Sequence, residues 1–250
     1  MKRAVFAASA AGVVASAAHA GFVGFSGFSR VAANGNRVID VFVVVSDSGD
    51  RLLNVYDGNI RNNLGSSGGS FFIQQAGLST RGWKPDPASS TRSNTVDSFC
   101  TIGVQDGIAY EGVYYAAGGT GADGGFTTGW ATLGNQMPVG AGWFLAPPTL
   151  PDNRAESLAG VQGTRIDQNA PAAAGSFGIW CAHLVMSGAE TNVQGALASC
   201  LWTLSAAVKD AQTQQISAGT ATDFNLIPVP GPGALAVGAL VQLGRGLRRR

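Results

Sequence analysis

Apolar residues in this chain come in short runs broken by turns, and the runs have the length and content of β-strands. Residues 38–45 read V-I-D-V-F-V-V-V. The run is β-branched and apolar apart from Asp40 and Phe42, which predicts a central strand covered on both faces. Residues 46–50 form a turn. Residues 52–56 make a second strand, ended by Asp57-Gly58-Asn59, and residues 70–75 a third. Residues 99–104, 112–116 and 143–145 follow, the last stopped by Pro147-Pro148. Residues 154–162 suit a short helix or an extended segment. Residues 176–186 and 195–207 read as a late strand pair, and 212–222 as a final edge strand. No window of about 15 residues carries the stripe and caps of an amphipathic helix. Many short strands, with turn signals roughly every 8–12 residues, predict an all-β fold: a single antiparallel β-sandwich of jelly-roll type.

The two ends depart from this pattern. Lys2 and Arg3 precede a small-residue apolar stretch over 4–18, and Ala18-His19-Ala20 is an A-x-A site. That order is what a signal peptidase substrate needs, with Gly21 as the first mature residue. The chain closes on an apolar run over 234–247 and a basic cluster, Arg245, Arg248, Arg249 and Arg250. As a helix that run spans about 21 Å, against a hydrocarbon core of about 30 Å. Three segments result: a signal peptide at 1–20, a β ectodomain at 21–225 and a C-terminal tail at 226–250.

Setting the ends aside changes the charge. Six of the 16 Lys and Arg lie in them, which leaves ten against 15 Asp and Glu, a net of −5. A mildly acidic body whose only lysines are Lys84 and Lys209 has no electrostatic footprint for nucleic acid. Glycine, at 36 of 250 residues, fits short strands joined by many turns.

Candidate chemistry is sparse. Cys181 and Cys200 sit in the two late runs, each beside a tryptophan, and are either a cross-strand disulfide or two buried thiols. Cys100 is left over. The mature chain has one histidine, His183. It reads as a core or rim histidine; strand periodicity also puts it on the face of Cys181, which leaves room for a thiol–imidazole pair or, with Cys200, a metal site. No G-x-S-x-G elbow accompanies it. The three glutamates, Glu111, Glu156 and Glu190, read as surface groups. Asp47, Asp50 and Asp57 are weak calcium candidates beside an ordinary turn reading. Tyr114, Tyr115, Trp130 and Trp143 form either a sugar-stacking platform or core.

The tail carries a resemblance. Val229-Pro230-Gly231-Pro232, the run after it and Arg248-Arg249-Arg250 resemble the PEP-CTERM sorting domain of Gram-negative bacteria, with Gly231 where that family has glutamate. The resemblance implies a membrane helix, recognition by an exosortase (a membrane-bound cysteine-peptidase-like enzyme) and delivery to the surface or extracellular matrix of exopolysaccharide-making cells. Residues 49–55, 97–103 and Trp143-Phe144 resemble exported bacterial proteins that carry such tails. The expectation is an exported, non-catalytic surface or matrix protein without a cofactor. The alternatives are a carbohydrate-binding module for exopolysaccharide and a secreted hydrolase with a carboxylate pair.

Overall fold

The computed structural model describes residues 21–62, 72–73, 83–86, 88–105, 107–109, 113–116, 140–145, 153, 155–168, 177–186 and 200–225. The expected signal peptide (Ala18, Ala20), the Val229–Pro232 motif and the arginines of the tail lie outside them. Among the described residues no helix is long and apolar enough to cross a membrane.

The described chain is antiparallel β throughout. Its strands are β1 (Phe22–Val31), β2 (Arg37–Val45), β3 (Arg51–Asn62), β4 (Phe99–Cys100), β5 (Val104–Gln105), β6 (Ile108–Ala109), β7 (Val113–Ala116), β8 (Ala141–Leu145), β9 (Glu156–Ser157), β10 (Thr164–Gln168), β11 (Phe177–Met186), β12 (Cys200–Lys209) and β13 (Ile216–Asn225). One sheet has the order β10-β1-β2-β11-β4, with β9 also on β11. A second has the order β13-β12-β3-β8-β7, and β5-β6 is a small ribbon.

β2 is central and buried along its length except at Arg37, as its apolar run predicts. β13 is the expected edge strand. Residues 154–162 resolve into β9 and one 3-10 turn, Leu158–Gly160. Three expectations fail. The late runs are not a pair: β11 lies in the first sheet and β12 in the second. β3 does not end at Asp57-Gly58-Asn59, because Asp57 takes a left-handed φ of 53° and the strand passes through a register shift between Val55 and Gly58. Only two residues of 99–104, Phe99 and Cys100, join the main sheet. β1 and β10 go unsignalled in the sequence, since β1 (F-V-G-F-S-G-F-S-R-V) interleaves its apolar residues with Gly and Ser.

The sheets are linked by a folded ribbon. β2 pairs with β11, β3 pairs with β12, and the chain crosses between sheets at both β2–β3 and β11–β12. Side chains from both sheets then share one apolar cluster, including Phe25, Val41, Val43, Ile179, Leu184, Val55, Trp143, Trp202 and Leu204. Within it Trp143 stacks on Trp202 with centroids 6.3 Å apart, and its Nε1–H donates to the Thr101 carbonyl at 3.0 Å. A smaller cluster (Phe28, Phe42, Val44, Phe99, Leu158, Trp180) lies on the opposite face of the first sheet.

Trp143→Ala removes a fully buried indole and its hydrogen bond. We expect a loss of about 3–5 kcal/mol, read as a lower urea midpoint at unchanged m-value. A variant within 1 kcal/mol of wild type would contradict this role for the indole.

Candidate functional site

The polar centre of the molecule lies on the outer face of the first sheet. β11 opposes β2 in register, except that Trp180 faces Phe42 while Ala182 faces Val41, so Cys181 is an inserted residue. A bulge of this kind sets two residues of one strand against one of its partner and breaks the period of two. Cys181 and Ala182 therefore both join the cluster between the sheets, whereas Trp180 joins the outer one. His183 falls on the outer face with Trp180, opposite its register partner Asp40.

There His183 is fully buried. Its ring stacks on Phe99 (4.8 Å, 16°) and meets the edge of Trp180 (5.8 Å, 88°). Nδ1 lies 2.7 Å from Asp40 Oδ1, and Nε2 lies 3.0 Å from the Asn94 carbonyl oxygen. Each ring nitrogen thus has an oxygen within hydrogen-bond reach. The other oxygen of Asp40 accepts from Arg30 Nη1 at 2.5 Å. Burial alone pushes the Asp40 carboxyl up, but the charge and hydrogen bond of His183, then of Arg30, outweigh it and hold the group below its ordinary range.

A second layer covers this pair. Arg30 Nη2 donates to the Arg92 carbonyl, and the Arg92 guanidinium pairs with Glu156. Arg92 lies over the Phe42 and Trp180 rings, 5.2 and 5.0 Å from their centroids, a cation–π arrangement. Arg30, Asp40, Arg92, Ser93, Val161 and Gln162 are among the residues lining a cleft of about 300 Å³ beside it. Residues 91–98, which carry Arg92 and Asn94, are pinned over the sheet by these contacts. Asp40 and His183 each interrupt an apolar run, and a charge inside a covered strand demands a partner. That signal was legible. Arg30, Arg92, Asn94 and Glu156 carried none.

The other expected site residues are dispersed. Cys181 points away from His183, because the bulge cancels the same-face rule, so the thiol–imidazole alternative fails and His183 is the buried histidine of the other reading. Cys181 is a reduced, buried thiol. A bridge to Cys200 between neighbouring strands is excluded, since β11 and β12 occupy different sheets. No three His, Cys, Asp or Glu among the described residues are placed to hold a metal. Asp50 is fully buried and accepts from Ser46 Oγ, the Asp47 N–H and the Ala211 N–H at 3.1, 3.1 and 2.9 Å. It ties the β2–β3 turn to the β12–β13 turn. Asp47 stays in that turn, capping the Gly49 N–H at 2.8 Å. Asp57 lies within β3, roughly 20 Å along an extended strand. The three carboxylates do not converge. Trp143 is core, which removes it from any sugar platform. Trp130, Glu111, Glu190 and the side chains of Tyr114, Tyr115 and Cys200 lie outside the described residues.

The fold and this centre define an antiparallel two-sheet protein with a buried Arg–Asp–His network on one outer face. No protein-family model, curated protein or solved structure matches the chain.

The network makes a signed pH prediction. A carboxyl whose folded pKa is depressed contributes stability above its unfolded pKa of about 4, and that stability is lost as pH falls through the folded value. Asp40→Asn leaves the Arg30 guanidinium without its counter-charge and puts an amide against His183 Nδ1, and is expected to cost about 3–5 kcal/mol near neutral pH. The gap between wild type and variant should narrow steadily below about pH 4 in denaturant titrations. A gap independent of pH would contradict the assignment.

Proposed function

We propose that the chain is exported and acts as a non-catalytic surface or matrix protein, its body a jelly-roll-like β-sandwich over 21–225. The ribbon that crosses between the sheets, and the cluster both sheets share, support the sandwich. The observation that carries the non-catalytic reading is His183. The one histidine of the mature chain is sealed from solvent, with both nitrogens committed to Asp40 and Asn94. A general base needs a nitrogen within reach of a substrate or a nucleophile. The carboxylates of this face argue the same way. Asp40 is held below the ordinary range and Glu156 is paired with Arg92, whereas a general acid needs its pKa raised.

Export rests on the ends of the sequence, and both ends are testable in one measurement. Mass spectrometry of the protein from its native host should give a mature chain that starts at Gly21 and ends short of Arg250. A chain that retains Met1 would sink the export reading, and an intact Arg250 on surface-exposed protein would sink processing by an exosortase.

A glycan-binding role is the second reading, and the cleft beside Arg30 and Arg92 favours it. Guanidinium groups suit the carboxylates of an acidic polysaccharide. Retention on an immobilised uronate-rich polysaccharide, weakened severalfold by Gln162→Ala or Ser93→Ala, would support this role. Elution with the void volume at low salt would remove it.

A further inference from the structure

The bulge in β11 has a consequence on the inner face of the sheet as well. It turns Cys181 inward together with Ala182. β4 pairs with the same strand, with Cys100 directly opposite Ala182. The Thr101 N–H donates to the Cys181 carbonyl at 3.0 Å. Cys100 and Cys181 are therefore diagonal neighbours on hydrogen-bonded strands, and both sit in the cluster between the sheets. Opposed residues of an antiparallel pair lie about 4.5–5.5 Å apart, and one step along the strand adds about 3.4 Å at right angles. The diagonal is then roughly 5.6–6.5 Å, inside the window of about 4.4–6.8 Å that a disulfide requires. The thiols are also close enough that charge on Cys181 raises the pKa of Cys100.

We propose that Cys100 and Cys181 are a redox modification site, a pair that closes as a disulfide when the chain folds in an oxidising compartment. The oxidant is an external disulfide, small or protein-borne. One cysteine thiolate attacks a sulfur of that disulfide and expels a thiolate. The second cysteine, as its thiolate, attacks the resulting mixed disulfide and expels the other. Two protons and two electrons leave the pair, and the oxidant is reduced to two thiols. Both cysteines are fully buried, and burial pushes both thiols up. The thiolate that must react is therefore scarce once the core has closed. Oxidation belongs to folding, and the finished bridge is shielded from reductant. The pair joins β4, a two-residue strand at the edge of its sheet, to the long β11.

The proposal rests on the export reading only for where the oxidant is met, so it is tested away from the cell. The purified chain is reduced, denatured and refolded in a glutathione redox buffer. Remaining thiols are alkylated and the peptides mapped. The expected product is a Cys100–Cys181 cross-linked peptide with Cys200 alkylated, unchanged by Cys200→Ala and lost in Cys100→Ala. Alkylation of both Cys100 and Cys181 in the refolded chain, or a bridge from either of them to Cys200, would overturn it. A chain shown to stay in the cytoplasm would defeat the export reading and leave this result standing.

Discussion

The inserted residue in β11 is the constraint on which the rest of the structure depends. A strand that kept its period of two would put Cys181 and His183 on one face and Ala182 on the other. The extra residue at Cys181 lets the strand satisfy both faces differently on either side of the bulge. Before it, Ile179 feeds the core between the sheets and Trp180 the outer cluster. After it, Ala182, Leu184 and Met186 feed the core, and His183 faces outward onto Asp40. Without the shift, the imidazole would enter an apolar cluster with no acceptor in reach, at a cost of several kcal/mol. Ala182 would meanwhile occupy the face that now holds the charge network.

In that network the buried carboxylate of Asp40 has a hydrogen-bond partner for each oxygen. Arg30, Asp40 and His183 form a hydrogen-bonded line, closed by the Asn94 carbonyl. Buried ion pairs seldom add net stability over an apolar core of the same shape. What this one adds is position. It fixes residues 91–98 onto a sheet face, while Arg92 spreads over Phe42 and Trp180. A face built this way is rigid and solvent-excluding at its base and polar at its rim.

Asp50 plays the same part at an end of the fold. Its carboxylate collects donors from the β2–β3 turn and from the β12–β13 turn. It thereby fastens the crossing between the sheets to the hairpin that closes the second one. The aspartates that suggested an ion site are instead hinge pins of the chain itself. The motif D-S-G-D is compatible with either role, because both use carboxylate oxygens that converge on a turn.

The sequence by itself determined the class and much of the strand content. The β-branched run at 38–45 cannot be satisfied except in the middle of a sheet, and β2 is there. For Trp143 the sequence left a sugar platform and the core both open, and packing against Trp202 decided for the core. Asp40 and His183, each interrupting an apolar run, announced buried charge, but not each other. Strand pairing was decided only by the tertiary structure, because hydrogen bonding in sheets is between residues distant in sequence. β1 was hidden by its Gly and Ser, which lower strand propensity until neighbours on both sides supply the packing. The bulge left no mark in composition, since any residue can be the inserted one when its side chain fits the core. Sending β11 and β12 to different sheets removed Cys200 from the strands that neighbour Cys181. The same topology brought Cys181 beside Cys100 and His183 onto Asp40, through contacts that no local pattern encodes.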